Sequence, residues 1–165
     1  MECPACSRQL KLFTQTYDIP YFGKVFQSTF VCSCGYKFVD IYPYEEKEPV
    51  RYTLTVTEEE FSARVVKSST CIIKVPEMGV RVDPGPCSEG IITNVEGILR
   101  KIENALEIAI RWGDASQKKE GKKILKKLKK VFEGKGHVTL ILEDHRGFSF
   151  ISSESVKKEL LDPHK

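Results

Sequence analysis

The chain has 165 residues, 41% hydrophobic and 30% charged, with 26 basic against 23 acidic side chains. That composition excludes a disordered or fibrous chain, the length excludes a large multidomain machine, and no apolar run approaches the roughly 20 residues of a membrane span. Cys3 follows the first residue too closely for a charged and apolar leader, so the expectation is an intracellular, cytoplasmic protein. In a reducing compartment its cysteines are expected to be metal ligands or redox thiols, not disulfides.

Taken in chain order, residues 10–31 are rich in β-branched and aromatic side chains and are broken by Ile19-Pro20 and Gly23, which predicts two strands around a turn. The acidic stretch 44–49 has no apolar periodicity and ends in Pro49, so it reads as a linker, with a boundary at Glu46. The expected domains are therefore a small β module over 1–46 and a β domain over 47–165. Val50, Tyr52, Leu54 and Val56 then alternate with polar residues at the two-residue period of a half-buried strand. Thr70 to Val75 and His137 to Leu142 read as further strands, and Asp144-His145-Arg146-Gly147 reads as a hairpin turn leading into Phe148 to Ile151.

Between those strands the period changes to that of a helix. Ile98, Ile102, Leu106, Ala109 and Ile110 fall on one face, with Thr93 or Asn94 as cap and Gly113 just past the end. Glu96 suits the positive end of that helix. Asp114-Ala115-Ser116-Gln117 resembles a capping box, and Ile124, Leu125, Leu128, Val131 and Phe132 form an apolar stripe opposite a row of lysines. These two helices, over about 94–133, are expected to pair as an antiparallel hairpin, with Gly121 weakening the first turns of the second.

Four of the six cysteines fall in the first 34 residues, as Cys3-Pro4-Ala5-Cys6 and Cys32-Ser33-Cys34-Gly35. The 25 residues between the pairs are what two strands and a turn occupy, so the hairpin brings the pairs together. Zinc takes four thiolates tetrahedrally, and a close cysteine pair followed by a turn-permissive residue, here Ser7 and Gly35, supplies half of that shell. One zinc on Cys3, Cys6, Cys32 and Cys34 is the favoured reading over a redox pair, disulfides or unrelated core thiols. The single residue Ser33 within the second pair makes its ring with the metal tighter. Cys71 reads as a buried strand thiol and Cys87 as a loop thiol. No nucleophile signature surrounds Cys87 or His145, and Gly134-Lys135-Gly136-His137 lacks the spacing of a phosphate cradle, so the protein is expected not to be an enzyme.

Further motifs accompany the first: Asp18-Ile19-Pro20-Tyr21-Phe22-Gly23, Cys32-Ser33-Cys34-Gly35-Tyr36, Val65-Val66-Lys67-Ser68-Ser69 with Val75-Pro76-Glu77, and Gly90-Ile91-Ile92-Thr93-Asn94-Val95-Glu96-Gly97-Ile98-Leu99. Together with Cys3-Pro4-Ala5-Cys6 this series resembles the ZPR-type four-cysteine zinc-finger family, whose eukaryotic members bind translation elongation factor one-alpha. The resemblance implies a zinc finger followed by a β-sandwich of the double-stranded β-helix type carrying an inserted helical hairpin. Eukaryotic members hold this module twice; the present chain has room for it once, as expected of archaeal forms. The implied function is a zinc-binding adaptor or chaperone for an elongation factor.

Charge is segregated. Lys118 to Lys135 holds nine lysines against Glu120 and Glu133, a local +7, and leaves the rest of the chain at −4. A lysine-rich helix face is in the first place the ordinary way to keep a helix soluble, and Tyr21 and Phe22 read first as a turn packed on the finger. As a partner surface the candidates are Lys122, Lys123, Lys126, Lys127 and Lys130, with Tyr21 and Phe22 in the finger. The alternative class is a nucleic-acid-binding zinc module, in which the lysine face neutralises phosphates and Tyr21, Phe22 and Tyr36 stack on bases.

Overall fold

The computed structural model of the protein describes residues 1–19, 23–44, 47–85 and 88–162. The predicted finger strands are β1 (Lys11–Ile19) and β2 (Gly23–Val31), paired antiparallel from Lys11 opposite Val31 to Ile19 opposite Gly23. Gly23 closes the pair at φ 97°, a conformation a β-carbon disfavours. A third strand, β3 (Lys37–Pro43), lies on the far side of β2 and was not expected from the sequence. Its two innermost residues, Asp40 and Ile41, are adjacent and both buried, which breaks the alternation by which a strand is recognised. The boundary expected at Glu46 lies outside the described residues.

The finger sheet is docked on the rest of the molecule. Ile19, Val25 and Ile41 pack against Val66, with Ile92 and Phe150 beside them. Gly90 donates its N–H to the Val39 carbonyl at 3.0 Å, and a β-carbon there would stand 2.7 Å from the Ile41 nitrogen.

Beyond the finger the strands build a two-sheet sandwich. β4 (Val50–Val56) and β9 (Val138–Asp144) form the centre of a five-stranded sheet with β6 (Ile72–Val75), β7 (Val80–Val82) and β11 (Lys157–Leu160), in the order β11-β4-β9-β6-β7. β5 (Arg64–Lys67), β8 (Ile91–Asn94) and β10 (Phe150–Ser152) form the smaller sheet, in the order β10-β5-β8. The alternation read in Val50 to Val56 is the inner face: Tyr52 stands opposite Leu142, Leu54 opposite Leu140 and Val56 opposite Val138, all buried. On the outer face of the same strands Glu143 takes Arg51 at 2.8 Å and Lys74 at 2.6 Å.

The expected hairpin turn at 144–147 is corrected. β9 and β10 do not pair; β9 belongs to the large sheet and β10 pairs with β5 in the small one, so the chain crosses between sheets there. The strand expected to begin at Thr70 begins at Ile72, and Cys71 is buried in the turn before it.

The helical insertion runs between β8 and β9 as α1 (Val95–Trp112) and α2 (Ala115–Phe132). Asn94 caps α1 by accepting from the Gly97 N–H, and Asp114 with Gln117 forms a complete capping box on α2. The pair is antiparallel: Arg100 stacks its guanidinium 3.7 Å from the Phe132 ring centre at the base, while Gly121 lies against Ile110 further out. Val95, Ile98, Leu99 and Ile102 of α1 and Leu128 and Val131 of α2 complete the sandwich core. Glu96, read as a dipole partner, also holds Arg100 at 3.2 Å.

Gly121 is more than a weak point in α2. It is buried, and a β-carbon on it would meet Ile110 Cγ1 at 2.6 Å, so the missing side chain is what lets the helices approach. In an open helix Gly→Ala stabilises by roughly 1 kcal/mol. Here Gly121→Ala is expected to lower stability in the parent and to raise it in an Ile110→Ala background, a reversal of sign read from urea unfolding of the four proteins.

Candidate metal centre

The site is built from two tight turns. In the first, the Ser7 N–H donates to the Cys3 carbonyl at 2.8 Å and the Cys3 N–H to the Arg8 carbonyl at 2.8 Å, with Ser7 at φ 58°. In the second, the Gly35 N–H donates to the Cys32 carbonyl at 3.1 Å and the Cys32 N–H to the Tyr36 carbonyl at 2.8 Å, with Gly35 at φ 93°. Both residues read as turn-permissive thus sit in the left-handed region. The β1–β2 hairpin carries one turn to the other.

The result is a cluster in which the Sγ atoms of Cys3, Cys6, Cys32 and Cys34 all lie within 4.8 Å of one another. Cys3 and Cys34 are 3.7 Å apart and Cys6 and Cys32 3.5 Å. A zinc ion with four sulfurs at about 2.3 Å has sulfurs about 3.8 Å from one another, so the donor set fits that group in number, type and spacing. Cys34 reaches the cluster despite the single intervening residue.

Crowding thiols also sets their protons against each other. Cys32 is drawn down to about 6, first by the Cys34 backbone N–H, which stabilises its thiolate. Cys6 feels the Arg8 backbone N–H in the same sense, but the Cys34 thiol and burial outweigh it and push the group up to about 12. A divalent cation supplies the positive charge that lets four crowded sulfurs be held together as thiolates. Cys71 lies elsewhere, sealed at 1% exposure, and burial lifts its thiol to about 12, as expected of an inert core thiol.

A ZPR1 jelly-roll domain matches residues 59–164. An uncharacterized ZPR1-like protein of Methanocaldococcus jannaschii is 40% identical over 98% of the chain and 84% of its own length. The chain belongs to the ZPR1 family. Another uncharacterized ZPR1-like protein, from Pyrococcus horikoshii, is 36% identical over 97% of this chain and 75% of its own. The zinc finger chaperone zpr1 of Schizosaccharomyces pombe is 31% identical over 92% of this chain, which spans 35% of that protein. The two-sheet sandwich expected from the resemblance is the family's jelly roll, and the hairpin is inserted where the sequence placed it.

The five lysines singled out, Lys122, Lys123, Lys126, Lys127 and Lys130, are all exposed along α2. Two are engaged: Lys123 pairs with Glu120 at 2.9 Å and Lys127 donates to the Glu77 carbonyl at 3.1 Å. Tyr21, Phe22 and Cys87 lie outside the described residues. Sequence reasoning passed over the tip of the hairpin, where Trp112 is 82% and Ile108 59% exposed. Their spacing of four on a helix was the available signal. No helix among the described residues is long and apolar enough to cross a membrane.

Proposed function

We propose that the protein is a zinc-binding chaperone or adaptor that acts in the cytoplasm on a translation elongation factor of the one-alpha GTPase type. The convergence of four cysteine sulfurs in a chain of this family carries the reading. One zinc is held by Cys3, Cys6, Cys32 and Cys34, where it cross-links the two turns of the finger. The name of the fission-yeast relative, a zinc finger chaperone, supports the class. The elongation factor comes from the family resemblance.

The helical hairpin is the element proposed to meet the partner. An exposed Trp112 with Ile108 at the tip offers an aromatic anchor, and the lysines along α2 favour encounter with an acidic surface. The variant Lys122→Glu/Lys123→Glu/Lys126→Glu/Lys130→Glu, which leaves Lys127 on Glu77, is expected to melt within a few degrees of the parent because exposed charges contribute little. Capture of purified elongation factor at physiological salt should fall by about tenfold or more. Undiminished capture would remove the lysine face from the interface. Loss of RNA binding alone, with a steep salt dependence in the parent, would favour the nucleic-acid class.

A further inference from the structure

Away from the finger and the hairpin, the sandwich opens at one side into a cleft of ≈ 630 Å³, between the edge strands β10 and β11. The volume is that of sites that enclose small ligands or one large side chain. Its apolar lining includes Val50, Phe150, Val156 and Leu160. Of the polar residues in its wall, which also include Lys47, Ser152 and Ser153, two stand opposite each other on β4 and β11. Tyr52 is 5% exposed, and its side chain makes no hydrogen bond among the described residues, only an edge-on ring contact with Phe150 at 5.7 Å. No side-chain polar atom among the described residues is both sealed from solvent and unpartnered, so the Tyr52 hydroxyl opens on the cleft it lines.

The second group is set by register. Lys158 is directly opposite Tyr52 and Leu160 directly opposite Val50, and cross-strand neighbours share a face. Tyr52 and Val50 are on the inner face of the large sheet, so Lys158 is an inward-facing lysine at the sandwich mouth. Among the described residues it has no acidic partner. Lys158 is exposed at the rim and the Tyr52 hydroxyl faces the cleft, so an ammonium and a hydroxyl donor are both available to a ligand lying over the apolar floor.

We propose that this cleft binds a ligand with an apolar body and one carboxylate, either a small apolar acid or the C-terminal residue of a polypeptide, with Lys158 and the Tyr52 hydroxyl holding the carboxylate. The ammonium supplies charge and the hydroxyl a directed hydrogen bond, while Val50, Phe150, Val156 and Leu160 take the apolar part. Burial lifts the Tyr52 hydroxyl to about 12, so it keeps its proton and donates at neutral pH. Glu48 and Glu154 also line the cleft, are themselves exposed, and disfavour a second negative charge on the ligand. The competing role for Lys158 is a guard against sheet extension at β11, which needs no ligand.

The test is protein-observed NMR on the zinc-loaded full chain, titrated with 4-phenylbutyrate, 4-phenylbutyramide, the peptide N-acetyl-Ala-Ala-Phe and its C-terminal amide. Saturable shifts are expected at the amides of residues 50–54 and 150–160 with at least one free acid, its amide binding about tenfold more weakly. Response to phenylbutyrate alone identifies a small acid, and response to the peptide acid alone a polypeptide C-terminus. Lys158→Gln and Tyr52→Phe should each weaken binding severalfold without lowering the melting temperature, since neither group supports a contact of the fold. The proposal is overturned if neither acid shifts those amides at millimolar concentration, or if acids and amides bind alike. Binding that survives both substitutions overturns it too.

Discussion

Stripping the metal from the protein with a chelator should abolish hydrogen-exchange protection in β1, β2 and β3 while leaving β4 and β9 protected. Structural zinc supplies about 10 to 16 kcal/mol to small fingers, more than a three-stranded sheet with eight exposed residues in its first strand can replace. The sandwich has its own core, from Val50 through Leu142 and the helix bases, which shares no buried residue with the finger cluster. It should therefore survive, at a lower melting temperature, because loss of Ile19, Val25 and Ile41 uncovers Val66 and Ile92. Elemental analysis should give one zinc per chain, unchanged in Cys71→Ser and lost in Cys34→Ser. Zinc retained in Cys34→Ser would move the fourth ligand elsewhere, and unaltered protection of β1–β3 after stripping would show that the finger folds without metal.

The parts of the molecule legible in the sequence are those whose cause is local. Asn94 and Asp114 cap helices through atoms within three residues, and Ser7 and Gly35 turn the chain immediately after their cysteines. The inner face of β4 is written in its own alternation. Features that could not be read depend on partners distant in the chain. β11 is Lys-Lys-Glu-Leu, a polar edge that forms only because β4 is there to pair with it, and the meeting of Lys158 with Tyr52 comes from that register. Gly121 reads as a propensity penalty until Ile110 is placed against it. The same holds for Asp144, which looked like a turn residue and is a buried junction.

Asp144→Ala is expected to be among the most damaging single changes in the sandwich. The residue is fully buried, and each carboxylate oxygen takes two donors. Oδ2 accepts from the Ser68 and Ser149 hydroxyls, both at 2.6 Å, and Oδ1 accepts from the Thr70 hydroxyl at 3.0 Å and the Arg146 N–H at 2.9 Å. Ser68 follows β5, Ser149 precedes β10 and Asp144 ends β9, so one carboxylate ties the small sheet to the large one where the chain crosses between them. Removing it leaves the buried Ser68 and Ser149 hydroxyls with no acceptor on Asp144, and losing such a network typically costs about 3 to 5 kcal/mol. At this chain length that is a fall of roughly 10 °C in melting temperature. Asp144→Asn keeps the volume and two acceptor sites, and hydroxyls can rotate to meet its amide, so it should lose less than half as much. Equal melting temperatures for the alanine and asparagine variants would mean that the cavity, not the hydrogen-bond junction, governs this site.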